Sequence, residues 1–309
     1  MAGSQDFTPD PRNERALIYL NGELVRREAA MVSIFDAGFS MGDGVWEGIR
    51  LHKGALLFLD AHLDRLYEGA RSIALDIGVD REGMKAILRR TLDANGMTDG
   101  AHLRLMVTRG LKSAVNQDPR NALGRPTIAL TAEYKATPQS TGPGLTLATA
   151  KVRCTPREMF DMRLNSHSRL PLIRALIEAI EAGGDEALML DPAGFVSSCN
   201  ATNFFFVRDG ELRTSTGEFC FNGITRGNVI DLAREHGVPI RLGGFPLSDV
   251  HAADEAFVTG TMAGVTPVRA IDGHVLQASP GPVTLRMRDL YADLKDRDAA
   301  AHPFVGAPA

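Results

Sequence analysis

The chain of 309 residues is long enough for two domains and a large buried core. Its composition, 44% hydrophobic and 23% charged, is ordinary for a globular protein, and a net charge of −4 lacks the basic excess of a nucleic-acid-binding surface. No apolar run approaches the roughly 20 residues of a membrane-spanning helix, and residues 1–15 lack the apolar core of a signal peptide. We therefore expect a cytoplasmic protein that binds neither nucleic acid nor membrane, with three reduced cysteines and no metal site.

The first half of the chain predicts one α/β domain over residues 16–134, after a disordered tail over residues 1–15. An Asn-Gly turn between residues 16–20 and 23–25 indicates a hairpin. Helical periodicity follows over residues 61–73, with Asp60 as N-cap, and then over residues 81–94. Alternating side chains over residues 102–110 predict a strand that closes the sheet.

Residues 135–144 are rich in proline, glycine and hydroxyl side chains, which predicts a linker. A second α/β domain is expected over residues 145–309. It should begin with a strand over residues 145–152.

A candidate phosphate site lies in residues 221–230, where a tight turn at Gly223 leads into a helix from Thr225 to about His236. A helix N-terminus has unpaired N–H donors and a partial positive charge, so the amides of Ile224 and Thr225 suit a phosphate. The alternative is an ordinary turn before a surface helix. Downstream, residues 253–268 predict a strand, a loop and a second strand, and Thr261 in that loop could bind the same anion.

Together, residues 223–227 (GITRG) and 253–268 (ADEAFVTGTMAGVTPV) resemble the phosphate cup of the class IV, or branched-chain and D-amino acid, aminotransferase family. The resemblance extends from about Ile18 to Leu294. It implies the two-domain α/β (α+β) fold of fold-type IV, pyridoxal phosphate in a cleft between the domains, and a homodimer. It also implies an amino acid or keto acid substrate.

Further site residues follow from this resemblance. Arg65 lies in an HLDRL motif whose arginine grips the cofactor phosphate in the family, although a surface arginine is the alternative. Residues 45–50 match a strand that faces the site. On the strand predicted over residues 102–110, Arg104 is a candidate for binding a substrate carboxylate, with a solvent-facing strand arginine equally compatible with the pattern. Met262 is a further candidate for substrate contact.

The segment over residues 161–175 departs from the family. There the family carries the lysine that holds the cofactor as a Schiff base and moves the substrate α-proton. An ungapped match places Asn165 at that position, and a short shift places Arg169 there. Arginine stays protonated and asparagine is not a nucleophile, so neither can form the imine. The nearest lysine in sequence, Lys151 on the preceding strand, is a candidate substitute, with an ordinary strand lysine as the alternative.

Two further differences affect the same chemistry. Ser198 occupies the position of the acidic partner of the pyridine nitrogen, and a neutral hydroxyl cannot hold that nitrogen protonated. Residues 171–172, Pro-Leu, stand near the place of the family's tyrosine. His167 beside the altered position is a candidate general base, with a hydrogen-bonded loop histidine as the alternative.

Two function classes follow. The first is a pyridoxal-phosphate enzyme of transaminase type with an unusual or impaired lysine arrangement and a cofactor held non-covalently. The second is a non-catalytic or cofactor-independent protein that reuses the phosphate cup for a phosphorylated ligand.

Overall fold

The computed structural model describes residues 8–136 and 144–306, which form two compact units. The amino-terminal unit comprises residues 8–136, 164–169 and 295–306. The carboxyl-terminal unit comprises residues 144–163 and 170–294. Most of the predicted linker and part of the predicted tail lie outside the described residues.

The amino-terminal unit is an antiparallel sheet covered on one face by helices. Its strands are β1 Ile18–Leu20, β2 Glu23–Val25, β3 Gly44–His52, β4 Ala55–Leu56, β5 Ala101–Thr108 and β6 Thr127–Tyr134. Its helices are α1 Ala37–Met41, α2 Leu59–Ser72 and α3 Arg81–Ala94. The strand order is β2-β1-β6-β5-β3-β4. Alternate residues of β3 and β5 are fully buried in one core with α2 and α3, and their neighbours lie on the opposite, partly exposed face.

The carboxyl-terminal unit is built on a mixed sheet. Its strands are β7 Leu145–Thr149, β8 Glu186–Leu190, β9 Val196–Cys199, β10 Asn203–Arg208, β11 Glu211–Thr214, β12 Ile240–Leu242, β13 Glu255–Gly260, β14 Gly264–Ile271 and β15 His274–Val275. Its helices are α4 Leu170–Glu181, α5 Ile224–Glu235, α6 Leu247–His251 and most of α7 Pro282–Ala301. The path β12-β11-β10-β13-β14-β7-β8-β9 runs through the sheet, and β15 pairs with β14.

The unit boundaries differ from the expected division at residue 145. Residues 164–169 belong to the amino-terminal unit because they pair with β3, and residues 295–306 belong there because Phe304 N and Val305 N donate to Gly54 O. Within the expected disordered tail, Pro11–Arg15 form a short 3-10 helix whose first turn is capped by Asp10. The main elements follow the expected chain order, and residues 164–169 and 295–306 group with the amino-terminal unit.

The predicted N-terminal boundary of helix α2 was wrong. Helix α2 begins at Leu59, so Asp60 lies in its first turn, and the N-cap residue is Phe58. Asp60 instead lies 3.3 Å from Arg81 and 3.2 Å from Lys85. Its carboxylate therefore joins α2 to α3 at the surface, a weak contribution to stability.

Over residues 8–136 and 144–306, no helix is long and apolar enough to cross a bilayer. The same residues contain no group of three or more His, Cys, Asp and Glu side chains that could hold a metal ion.

Candidate active site

Strand β3 and helix α2 enclose a buried carboxylate. Glu47 is fully buried, and Arg65 donates to it from Nε and from Nη2, each at 2.7 Å. His62 Nδ1 lies 2.7 Å from the same carboxylate. Burial raises the pKa of Glu47, but the hydrogen bonds and charge of Arg65, together with His62, outweigh burial and leave that pKa below its ordinary value. One edge of the Arg65 guanidinium is therefore committed to Glu47.

The segment at the predicted lysine position runs antiparallel to the start of β3. Trp46 N donates to Asn165 O at 2.9 Å, and His167 N donates to Gly44 O at 3.0 Å. The buried Asn165 side chain also donates from Nδ2 to Trp46 O at 2.6 Å. A Cβ on Gly44 would lie only 2.7 Å from the His167 ring, so the close approach needs glycine here. Asn165 is thus a structural partner of β3.

Arg169 extends from this segment to the indole ring of Trp46. Its guanidinium donates to Asn165 Oδ1, and its Cζ lies 5.0 Å from the ring centroid of Trp46. The Cζ of Arg104 lies 3.7 Å from the same centroid. Burial lowers the pKa of Arg169 to about 10, and the charges of Arg104 and Arg65 act in the same direction. The predicted residues Asn165, Arg169 and Arg104 therefore meet around one tryptophan.

His167 is half-buried, and its buried Nε2 atom makes no hydrogen bond among the described residues. Burial lowers the pKa of His167, and the nearby Arg104 lowers it further. The ring is therefore neutral near pH 7 and can accept a proton.

His102 on β5 is a second half-buried histidine, and its buried Nδ1 atom also lacks a hydrogen-bond partner within the described chain. Burial lowers the pKa of His102 to about 3, and the positive charges of Arg104, Lys135 and Arg50 add to this effect. The folded protein consequently keeps His102 neutral where an unfolded chain would protonate it.

This difference predicts acid sensitivity. Between the unfolded pKa of 6.5 and the folded value of about 3, the unfolded state binds one proton more, so stability is lost as pH falls through that window. The slope is about 1.4 kcal/mol per pH unit at most. Urea unfolding at pH 7.5, 6 and 5 should show it in the natural protein, and His102→Gln should remove that part of the slope. An unchanged slope in His102→Gln would rule out His102 as the origin.

The predicted phosphate site in the carboxyl-terminal unit is organised by Asn203. Its Oδ1 accepts from Gly223 N at 3.1 Å, and its Nδ2 donates to Phe221 O at 2.7 Å, which fixes the turn before α5. A Cβ on Gly223 would lie 2.4 Å from Asn203 Oδ1, so this turn requires glycine. Gly223 is the N-cap of α5 and gives it no side-chain cap. Thr225 in the first turn is buried, with its hydroxyl 3.3 Å from Tyr291 Oη.

Thr261 and Met262 lie in the turn between β13 and β14, as predicted. Asn203 pairs with Thr259 across β10 and β13, so the N-terminus of α5 and this turn lie at the same end of the sheet. Thr259 is buried and its hydroxyl lacks a partner among the described residues. This end of the sheet therefore combines helix amides with hydroxyl groups, the donors that suit a phosphate.

Ser198 is buried in the same unit and is already hydrogen-bonded. Its hydroxyl donates to Thr202 O at 2.8 Å and accepts from Asn203 Nδ2 at 3.1 Å. The Ser198 proton is therefore directed to a backbone carbonyl.

Comparison with known proteins assigns the chain to a family. The model of the family "Amino-transferase class IV" matches residues 44–271. A putative branched-chain-amino-acid aminotransferase of Methanocaldococcus jannaschii is 38% identical over 282 residues, covering 91% of this chain and 96% of that protein. The chain belongs to the class IV aminotransferase family.

Two further relatives are a longer plant protein and an archaeal protein of solved structure. The branched-chain-amino-acid aminotransferase-like protein 2 of Arabidopsis thaliana is 38% identical over 96% of this chain, which spans only 53% of that relative. The solved branched-chain aminotransferase of the archaeon Thermoproteus uzoniensis, with norvaline, superimposes with a TM-score of 0.82 at 29% identity. That match covers 92% of this chain and 95% of the solved one. The predicted family and fold-type IV architecture are thereby confirmed.

The family implies pyridoxal phosphate, and the residues of this class IV member fit it only in part. The N-terminus of α5 and the unpartnered Thr259 hydroxyl suit the phosphate. The segment of residues 164–169 offers an amide and a guanidinium but no amine. Covalent attachment through that segment does not fit.

Sequence reasoning missed Trp46, Glu47 and Asn203. Residues 45–50 were recognised only as a strand near the site. Successive side chains of a strand point to opposite faces, and this rule would have placed Trp46 and Glu47 on different faces of β3. The role of Asn203 had no local signal, since its partners Gly223 and Phe221 lie 20 and 18 residues away.

Proposed function

We propose that this class IV family member binds pyridoxal phosphate, or another phosphorylated ligand, non-covalently and does not carry out ordinary transamination. The observation that supports this most strongly is the pairing of Asn165 with Trp46 and Arg169 at the position expected for the lysine. An arginine guanidinium keeps its proton near pH 7 and cannot become the neutral amine that imine formation needs.

The lysines of the chain lie elsewhere: Lys53, Lys85, Lys112, Lys135, Lys151 and Lys295. Lys53 contacts Asp296, Lys85 contacts Asp60, and the buried Lys112 donates to Asn116 O. Lys151 is exposed just after the end of β7. These positions support a bound cofactor without a covalent bond.

We also propose roles for the remaining candidates. The ligand phosphate would bind at the amides of Ile224 and Thr225 and at Thr261, with Arg65 as the further contact that the family resemblance implies. Pyridoxal phosphate when bound supplies an electron-withdrawing ring, and Ser198 would leave its nitrogen without a carboxylate partner.

Besides the phosphorylated ligand, the site would bind an amino acid or keto acid as substrate. Arg104 and Met262 would contact this substrate, and His167 would accept or return a proton, because burial keeps its imidazole neutral near pH 7.

The competing function is a binding or regulatory protein, or a cofactor-independent enzyme, that uses the same phosphate site. A specific observation favours it: Ser198 is hydrogen-bonded to Thr202 O and to Asn203, so it offers its proton to the backbone.

Absorbance spectroscopy of purified protein with added pyridoxal phosphate, before and after borohydride, separates the functions. Non-covalent binding predicts a spectrum close to free cofactor and no pyridoxyl group on the protein. A stable covalent adduct would contradict the proposed function, and absence of cofactor binding would favour the competing one.

We propose a homodimer in the cytoplasm. The described cysteines, Cys154, Cys199 and Cys220, are buried free thiols, compatible with a reducing compartment. The amino-terminal unit exposes large apolar side chains on two segments that Asp36 and Leu111 join by a bridge. These side chains are Met31, Val32, Ile34, Phe35, Phe39, Met41, Leu111, Val115 and Leu123. An exposed apolar surface of this kind commonly marks a protein interface.

The double variant Ile34→Glu, Phe39→Glu is therefore expected to be monomeric, because it buries two carboxylates in an apolar contact. Light scattering after gel filtration measures the mass of each form. Val275→Glu is the matched control, since Val275 is also highly exposed but lies in the other unit, and should remain dimeric.

A monomeric natural protein, or dissociation of the control, would contradict this interface. If the double variant Ile173→Glu, Ile177→Glu dissociated instead, the dimer interface would lie on α4. That helix exposes four apolar side chains at helical spacing: Leu170, Ile173, Ile177 and Ile180.

A further inference from the structure

The amino-terminal unit contains a cavity of about 610 Å³ whose lining includes neither Trp46 nor any residue of the segment 164–169. Its walls come from the start of α2, one face of α3, and residues 298–304 at and beyond the end of α7. Cavities that bind small molecules have volumes of roughly 300–1,000 Å³. This cavity is therefore large enough for a small metabolite, and its lining differs from that of the candidate active site.

One part of the cavity wall is apolar. Leu56 is buried there, and Phe58, Leu59 and Phe304 are partly exposed. Phe58 has a left-handed backbone, with φ 52° and ψ 36°, which is unfavourable for a bulky side chain. Its N–H donates to Asp298 Oδ2 at 2.8 Å, and this bond stabilises the conformation. Backbone strain of this kind clusters at binding sites, and here it lies in the wall of a cavity.

The wall also carries a cation and a carboxylate that do not pair with each other. The Cζ of Arg89 lies 4.5 Å from the ring centroid of Phe304, and no carboxylate contacts this arginine within the described chain. The Asp298 side chain is only 12% exposed, and over residues 8–136 and 144–306 its partners are Phe58 N and, at 3.0 Å, His302 Nδ1. Arg89 and Asp298 both lie beside residues 302–304, so the two opposite charges are close to the same stretch of chain.

The other charged side chains of the wall are matched among themselves. Lys85 lies 3.2 Å from both Asp60 and Glu82. Asp60 also contacts Arg81 at 3.3 Å. The guanidinium of Arg89 and the carboxylate of Asp298 are therefore the charges left for a ligand, and a carboxylate with about four lone-pair sites can accept beyond its two present contacts.

We propose that this cavity is a second binding site, for an α-amino acid with a large apolar side chain. The ligand carboxylate binds the planar fork of Arg89, and the ligand ammonium donates to Asp298. The apolar side chain packs against Phe58 and Leu59. A simple acid or a simple amine would satisfy only one of the two charges, whereas an amino acid satisfies both. The site goes beyond the proposed function, because it uses neither the cofactor nor the residues of the candidate active site.

Titration calorimetry on the full chain tests the ligand class with three related probes. L-phenylalanine is compared with hydrocinnamate, which lacks the ammonium, and with phenethylamine, which lacks the carboxylate. L-phenylalanine should bind about tenfold or more tightly than either analogue, because each analogue loses one charge-assisted contact. Equal binding of the three probes, or no binding of L-phenylalanine, would overturn the inference.

Two variants assign the two charged contacts. Arg89→Gln should lower the affinity for L-phenylalanine and hydrocinnamate by about tenfold or more and leave that for phenethylamine unchanged. Asp298→Asn should weaken L-phenylalanine and phenethylamine by a similar factor and leave hydrocinnamate unchanged. Arg90→Gln is the matched control, since Arg90 is also an exposed arginine on α3 but donates to Gly22 O outside the cavity. Full affinity in Arg89→Gln, or an equal loss in Arg90→Gln, would contradict the proposed site.

Circular dichroism of each variant verifies that it is folded. Asp298 accepts from Phe58 N at the start of α2, so Asp298→Asn also tests that structural contact. Arg89 is exposed and its described contact is an aromatic ring, so Arg89→Gln with the three probes keeps the test decisive if Asp298→Asn does not fold.

Arg104→Gln separates this cavity from the amino acid site of the proposed function. Loss of one binding step in Arg89→Gln and of a different one in Arg104→Gln would support two sites. A loss in Arg104→Gln with none in Arg89→Gln would place L-phenylalanine at the candidate active site and overturn this inference alone. Failure of the natural chain to bind pyridoxal phosphate would remove the cofactor from the proposed function, while a loss of L-phenylalanine affinity in Arg89→Gln would still support the cavity.

Discussion

Asn165→Lys is expected to form a covalent bond with pyridoxal phosphate that the natural chain does not form. Lysine must be neutral to attack the cofactor, and burial together with the charges of Arg169 and Arg104 should lower its pKa in this position. Asn165 is buried and hydrogen-bonded to Trp46, so the new amine would enter the same enclosed environment. Mass spectrometry after borohydride reduction and proteolysis should find the pyridoxyl group on residue 165.

The parallel variant Arg169→Lys decides between the two positions that the sequence leaves open. An adduct on residue 165 but not on residue 169 would assign the missing lysine to Asn165, and the reverse would assign it to Arg169. The natural protein is the control, together with Lys151→Met. A reduced adduct on the natural chain, at Lys151 or any other lysine, would contradict the proposed non-covalent binding, as would robust natural transamination.

Restored attachment should still give slow turnover, because Ser198 supplies no carboxylate for the ring nitrogen. Adding Ser198→Glu to the lysine variant tests that step separately, by single-turnover absorbance changes with an amino acid substrate. No gain in rate in a folded double variant would show that Ser198 is not the limiting group.

Arg65→Ala is expected to lose both ligand phosphate affinity and stability. The proposed phosphate contact is charge-assisted and worth roughly 1.5–3 kcal/mol, or about tenfold or more in affinity. Removing Arg65 also leaves the fully buried Glu47 with His62 as its remaining named partner, and breaking a buried ion pair costs about 3–5 kcal/mol. Urea unfolding and a phosphate-ligand titration measure the two losses.

A matched double variant separates these two roles of Arg65. Arg65→Met with Glu47→Leu removes both charges, so most of the stability should return while phosphate affinity stays low. Recovery of affinity in the double variant would show that Arg65 serves Glu47 alone.

The folded pKa of Glu47 is below its ordinary value of 4.5, so the stability that this pair contributes is present above that pH and is lost as pH falls below it.

Local patterns in the sequence determined the family and the order of the main elements. The Asn-Gly hairpin, the helix Arg81–Ala94 and the turn into α5 each depend on residues close together in the chain, where spacing and turn chemistry are sufficient. The two motifs around residues 223–227 and 253–268 indicated the family directly, and the family match over residues 44–271 confirms it. The absence of lysine from residues 161–175 is likewise a property of the sequence alone.

The tertiary structure decided which residues surround the segment in which the family's lysine is missing. Asn165 meets Trp46 across 119 residues, and Arg65 meets Glu47 from a different element. Such pairs depend on sheet register and on which face of β3 each side chain takes, because a shift of one residue reverses the faces. Chain order had placed residues 164–169 in the second domain, whereas their hydrogen bonds to β3 place them in the amino-terminal unit. Pairing across the chain, which no local pattern encodes, thus put Arg169 beside Arg104 on one indole ring.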